Sequence, residues 1–549
     1  MTSVTDSVRT LPGRRPIDGW RLGALAIAAV VVFPLAVVLS SVFAPADEVW
    51  RHLADTVLVD LLRNTFWLVA GVAVGTAVLG VGLAWITAVC EFPGRRVFDW
   101  ALMLPLAIPA YVTAFVAVGL FDYTGPIQTL MRDVLPAGWA RLPPIRSQGG
   151  VILVMSLALY PYVYLLARQA FLTQGKRAME AAQALGHGPW RGFFHLAVPM
   201  ARPWIVGGLA LVVMETLADF GTVAVFNYDT FTTAIYKAWF GLFSLTAAAQ
   251  LASILIVIVF ALLLIERRWH AGGRYTTAGK QDTTRQRIRL GNGHAWLAFG
   301  ACAAVLSLAF GVPVIQLLVW GVRRLATDVD ARAIGFLWHS TFLGAMAAAL
   351  TCACALVLAY AQRRGDGLIR IATRVSTLGY ALPGSVLAVG TFIPLAWLDR
   401  QVAAGFSLFQ REVGLVILGT PLAMLLAYLA RFLAAGFGPI ESAMHRVTPN
   451  VEEAARGLGV SGRRLVRRIH LPIIRSGVLT AATLVFVDVM KEMPATLMTR
   501  PFGWDTLSVR IFELTSEGQW EQAAIPSLAL VLAGLLPVML LTRHEGDTV

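Results

Sequence analysis

Glu180-Ala-Ala-Gln-Ala-Leu-Gly186, followed at Pro199 by a proline, recurs later in the chain as Glu453-Ala-Ala-Arg-Gly-Leu-Gly459, followed by Pro472. The two copies are 273 residues apart, and the same shift carries Leu196 onto Ile469, Glu215 onto Asp488 and Asp219 onto Glu492. Nearby shifts carry Pro109 onto Pro383 (274) and Asn64-Thr65 onto Ser340-Thr341 (276). Features kept in step across half a chain mark an internal duplication. The repeated stretch is good helix material, and the glycine after it is placed to end a short helix. A second short segment and a proline suited to opening the next helix complete a helix–turn–helix elbow.

What surrounds the elbows is lipid-soluble. Of 549 residues, 57% are hydrophobic and only 14% charged, against about a quarter charged in soluble domains. Apolar stretches long enough for a hydrocarbon core of about 30 Å recur near residues 20–43, 64–90, 98–120, 150–172, 205–226 and 244–265. The second half repeats them near 294–320, 340–362, 373–398, 412–435, 474–497 and 525–542. Each must satisfy its own backbone polar groups, so the expected fold class is an all-α membrane protein of about 12 transmembrane helices. An even number per half makes the halves parallel six-helix repeats. The expected division is 1–265, a basic linker at 266–293, and 294–549, with the elbow loops at 173–203 and 436–475. The first apolar run is too long for a signal peptide and is read as a retained helix.

The net charge of +13 is a matter of topology. With a cytoplasmic N-terminus, 29 of the 45 Lys and Arg fall on the cytoplasmic side and 13 outside. Acids divide 13 and 15, so the basic excess lies within, as the positive-inside rule requires; both termini are expected in the cytoplasm. No nucleic-acid partner is implied. Cys90, Cys302, Cys352 and Cys354 sit in or beside apolar spans with no metal or disulfide spacing. Gly175-Lys176 and Gly279-Lys280 lack the rest of a phosphate-binding loop, so nucleotide hydrolysis is not expected of this chain.

Four acids lie in spans: Glu215 and Asp219 in one half, Asp488 and Glu492 in the other. Each pair is spaced i, i+4 on one helical face. Intramembrane carboxylates are costly and face protein or an aqueous path. They are candidates for lining a substrate pathway and for transient contact with a hard cation such as Fe3+, with no stable metal site expected. The alternatives are neutralisation by the intramembrane bases Arg168, Arg431 and Lys491, and bonding of the outer acids to helix ends.

The paired elbows match the EAA-type loop of bacterial binding-protein-dependent ABC importer permeases, and the chain resembles that family over nearly its whole length. The resemblance implies the type I importer permease fold, residence in the bacterial inner membrane, and ATPase coupling through Glu180, Ala181, Ala182 and Gly186 and through Glu453, Ala454, Ala455 and Gly459. It also implies two copies of a cytoplasmic ABC ATPase carrying ATP and Mg, a periplasmic substrate-binding protein, and no cofactor in this chain. The binding protein is expected on loops near 121–149, 227–243, 399–411 and 498–524. Ala218-Asp219-Phe220-Gly221-Thr222 and Lys491-Glu492-Met493-Pro494-Ala495-Thr496 look like the ferric iron group of that family. Thiamine importers have a similar fused permease, and a secondary transporter is the alternative of a different class. Arg463 and Arg464 make the second elbow the more basic, hence the more salt-sensitive dock.

Overall fold

The computed structural model describes residues 19–45, 47–134, 143–175, 186, 188–270, 287–363, 367–407, 415–460 and 462–546. The main helices of the first half are α1 (Gly19–Ser40), α2 (Leu58–Val89), α3 (Ala110–Phe121), α4 (Gln148–Ala170), α5 (Val198–Ala218) and α6 (Leu245–His270). The second half begins with α7, a continuous helix over Asn292–Asp328. It goes on with α8 (Ala331–Arg363), α9 (Gly384–Ser407), α10 (Leu422–Met444), α11 (Leu471–Lys491) and α12 (Ala524–Gly546). Eleven helices among the described residues are long and apolar enough to cross a membrane; Ala524–Pro537 is a shorter apolar helix.

Several expected spans are broken, and they break alike in both halves. The stretch 98–120 divides into a helix at Arg95–Ala101, a 3-10 turn at Leu104–Ala107, and α3. The stretch 373–398 divides into Gly367–Ser376, a 3-10 turn at Thr377–Ala381, and α9. Proline supplies the reason: Pro109 and Pro383 lack the N–H a continuing helix would need, and each stands where a helix restarts. The stretches 205–226 and 474–497 stop early as well. Asp219 (ψ 131°) and Glu492 (ψ 116°) turn extended, and the short helices Gly221–Val225 and Pro494–Thr499 follow.

Pro199 and Pro472, expected to open helices, instead lie just beyond a wide π-turn inside a continuous helix. The turns are Phe193–Ala197 and Val466–His470, again 273 residues apart. In each the amide after the turn, Val198 or Leu471, donates five residues back, to Phe193 O or Val466 O.

The sequence halves interlock. Helix α1 leaves its own half and packs on α8, α9 and Gly367–Ser376 of the other. Val31, Leu35 and Val38 are buried in a cluster that includes Leu382, Val386 and Leu387, and Gly390 packs so closely on the Pro34 carbonyl that a Cβ would not fit. In the reverse direction, α7 buries Ala295, Ala298 and Cys302 in a cluster with Leu83, Phe98 and Tyr160. A two-residue parallel pairing of Cys90–Glu91 with Ile288–Arg289 pins the end of the linker to the first half; residues 271–286 of the expected linker lie outside the described residues. Cys90, Cys302 and Cys352 are buried, Cys354 is half-buried, and all four are free thiols.

Candidate functional site

Two regions carry the polar chemistry: the elbow after α10, and a chamber where the halves meet. The second elbow begins with a nine-residue helix, Pro449–Gly457. It ends in a Schellman motif: Gly459 N–H donates to Arg456 O, Val460 N–H to Ala455 O, and Gly459 takes φ 75°. Gly186 of the first copy has φ 72°, so both motif glycines occupy the left-handed region that side chains avoid. Glu180, Ala181 and Ala182 lie outside the described residues.

In the second copy Glu453, Ala454 and Gly459 are exposed. Ala455 is not: it is 4% exposed and packs inward, so it is unavailable to a partner in this arrangement. The helical repeat places Ala455 three residues after Glu452, on the inward face. Glu452, which the motif reading passed over, ties the elbow to the membrane helices. Its carboxylate lies 2.8 Å from Arg363 Nη2, 3.3 Å from His470 Nε2 and 3.0 Å from Arg456 Nη2. Arg363 also donates to the Val447 carbonyl (2.6 Å), and His470 Nδ1 is 2.8 Å from the Tyr360 hydroxyl. Trp20 of α1 stacks on Tyr360, which stacks on His470. Leu458, at the tip, is 83% exposed and apolar.

The chamber has a volume of about 550 Å³, within the range of small-molecule sites. All four predicted acids, Glu215, Asp219, Asp488 and Glu492, line it, together with Arg431 and Lys491. Glu215 and Asp488 each lie 17 residues into α5 and α11, roughly 26 Å from their starts at 1.5 Å per residue. The chamber therefore sits toward the ends of these helices remote from the elbows.

The acids have different duties. Asp219 accepts from Thr222 N (2.9 Å), Thr222 Oγ1 (2.9 Å) and Val223 N (3.2 Å), holding the start of Gly221–Val225. Glu492 accepts from Ala495 N (3.0 Å) at the start of Pro494–Thr499 and pairs with Arg431 Nε at 3.1 Å. These outer members bond to helix ends, one of the alternatives the sequence left open. Glu215 accepts from the Tyr380 hydroxyl at 3.4 Å. Asp488 has no hydrogen bond or ion pair among the described residues. Nor do three His, Cys, Asp or Glu side chains converge on one point there, so the acids line a chamber without forming a chelate.

The three predicted bases part company. Arg431 and Lys491 belong to the chamber. Arg168 does not: its Nε lies 2.9 Å from Asp99, which also meets Arg95 at 3.2 Å. Asp99 and the chamber tyrosines Tyr111, Tyr162 and Tyr380 were missed from the sequence. Proline-broken helices bring Asp99, Tyr111 and Tyr380 inward, and only the repeated prolines Pro109 and Pro383 hinted at that; Tyr162 lies within the unbroken α4.

The family model for the "Binding-protein-dependent transport system inner membrane component" matches residues 77–265 and again 340–544. The chain is 28% identical over 492 residues to the Fe(3+)-transport system permease protein FbpB 2 of Haemophilus influenzae, covering 89% of this chain and 90% of that protein. It is 20% identical over 555 residues to the ferric transport system permease protein FbpB of Actinobacillus pleuropneumoniae, covering 95% of this chain and 77% of the relative. A shorter similarity, 28% over 188 residues, joins it to the molybdenum transport system permease protein ModB of Escherichia coli, covering 34% of this chain and 80% of the relative. With the family model matched twice, the two matches together covering most of this chain and both ending on the repeated helices, this chain belongs to the binding-protein-dependent transport system inner membrane components.

Proposed function

We propose that the chain is the permease of an ATP-driven importer whose cargo is ferric ion delivered by a periplasmic binding protein. FbpB 2 and FbpB, each similar over most of this chain, carry Fe(3+) or ferric transport in their names. The observation that carries the cargo choice is the chamber's charge. Four carboxylates face one guanidinium and one ammonium, a formal excess of two negative charges. Such a wall attracts a cation and repels oxyanions such as molybdate. Carboxylate and phenol oxygens also suit a hard cation.

ATP hydrolysis is assigned to separate subunits that hold ATP and Mg, docking on Glu180, Ala181, Ala182 and Gly186 and on Glu453, Ala454 and Gly459. One chain supplies both elbows, so one permease pairs with two ATPase copies. Both termini face the cytoplasm, in keeping with the distribution of basic residues. The binding protein docks on the opposite face. ATP closes the ATPase pair and moves the elbows; Glu452 and Arg363 pass that motion to α8 and α11, and the halves rock around the chamber. The second elbow, with Arg463 and Arg464, is the more salt-sensitive dock.

The test is uptake into liposomes holding the permease, its ATPase and ATP, with the loaded binding protein outside. Ferric ion uptake that needs ATP, without molybdate or thiamine uptake, supports the proposal. Uptake driven by an ion gradient in vesicles lacking the ATPase would establish a secondary transporter instead.

A further inference from the structure

Tyr111 stands out among the groups on the chamber wall. It is 7% exposed, and its hydroxyl has no hydrogen-bond partner among the described residues. A buried hydroxyl left unpaired is unfavourable, and phenylalanine would fill the same space without that cost. The position is held closely, since a Cβ on Gly221 would collide with the Tyr111 side chain and with Met493. Tyr111 is the second residue after Pro109, at the restart of α3, and it lies within electrostatic reach of Asp219 and Glu492. Ser385 holds the matching place after Pro383. It too is buried with an unpaired hydroxyl, but it does not line the chamber.

A ligand that satisfies this wall must accept from a phenol O–H and also suit an excess of carboxylates. A hydrated trivalent cation does both. The metal acidifies its bound water, so part of its shell is hydroxide. Metal-bound hydroxide accepts from Tyr111, while metal-bound water donates to carboxylates such as Asp488, the chamber acid with no hydrogen bond or ion pair among the described residues. Tyr111 belongs to the first half and Asp488 to the second, so a cargo touching both bridges the interface that must open.

We infer that the chamber is a cargo-binding site, in which a hydrated hard cation is held through its water and hydroxide shell by the Tyr111 hydroxyl and the Asp488 carboxylate. This rests on the ferric importer reading above. The test is Tyr111→Phe in the assembled importer in liposomes, with ATP inside and binding protein loaded with radiolabelled ferric ion outside; Ser385→Ala is the control. Removal of an unpaired hydroxyl leaves thermal stability equal or slightly higher in both variants. Ferric uptake falls about tenfold in Tyr111→Phe, the size expected for a hydrogen bond to a charged partner, while binding-protein-stimulated ATP hydrolysis persists and Ser385→Ala transports normally. Wild-type uptake in Tyr111→Phe, or equal losses in the two variants, overturns the site. A wild-type importer that moves no ferric ion overturns the cargo reading beneath it, a result seen before any variant is compared.

Discussion

Lys491 Nζ donates a 2.9 Å hydrogen bond to the Leu106 carbonyl, joining the end of α11 in one half to the 3-10 turn before α3 in the other. Its counterpart is the bond from Tyr380 to Glu215, in which the turn of the second half reaches α5 of the first. Leu106 and Tyr380 are duplicate positions 274 residues apart, but their partners are not, since Lys491 corresponds to Ala218: a lysine donates to a backbone oxygen on one side, and a tyrosine to a carboxylate on the other. Both bonds cross the interface between the halves.

Lys491→Met removes one of these bonds and leaves the Leu106 carbonyl unpaired. Hydrogen bonds to charged groups contribute about 1.5–3 kcal/mol, so the arrangement described here loses at least about tenfold in population to its alternatives. ATP hydrolysis without binding protein is expected to rise by about that factor while uptake falls. Basal hydrolysis equal to wild type would show that the bond does not hold the halves together.

Neighbouring glutamates should behave oppositely. Glu452→Ala strips Arg363 and His470 of their shared acid; with Glu452 16% exposed, we expect a loss of about 1–3 kcal/mol in thermal unfolding. Glu453 is exposed, and Glu453→Arg should leave stability within about 0.5 kcal/mol yet reduce ATPase co-purification. Leu458→Asp should do likewise, because its side chain is 83% exposed and packs on little of its own chain.

The motif glycines offer a cleaner measurement. Gly186 and Gly459 have φ of 72° and 75°, and a Cβ at either would meet no atom within 4 Å. An alanine there costs only backbone strain, about 1–2 kcal/mol, read in thermal unfolding of Gly459→Ala. A frayed elbow should also weaken ATPase binding, measured by titration of the ATPase against permease in nanodiscs.

Asp99 and Asp488 separate structure from transport. Asp99→Asn removes the carboxylate that the buried Arg95 and Arg168 share, while Arg95 keeps Glu91 at 3.4 Å, so stability should fall by about 1–3 kcal/mol with cargo selectivity intact. Asp488→Asn should keep stability and lower cation uptake. Matching effects in the two variants, measured by unfolding and by uptake, would erase the distinction.

Much of the fold was legible in the chain itself. Apolar length against bilayer thickness located the spans, and the 273-residue shift revealed the duplication and both elbows. These are local or repetitive properties, and a linear sequence carries them. The shift also paired Asp219 with Glu492, which prove to hold equivalent short helices. The early ends of these helices were harder to see, because in a hydrophobic run an extended residue looks like a helical one.

Tertiary structure decided the rest, since contacts across the interface depend on how helices cross and not on spacing within them. Composition placed Arg168 among possible partners of the chamber acids; packing gave it to Asp99. The repeat treated all three motif residues alike, yet helix rotation turned Ala455 inward and left Glu453 and Ala454 outside. Hydropathy drew two halves side by side, whereas α1 and α7 each cross to bury apolar surface on the other half. That exchange is what builds one interlocked body from a tandem repeat, and it leaves between the halves a chamber whose charge no single stretch of sequence could disclose.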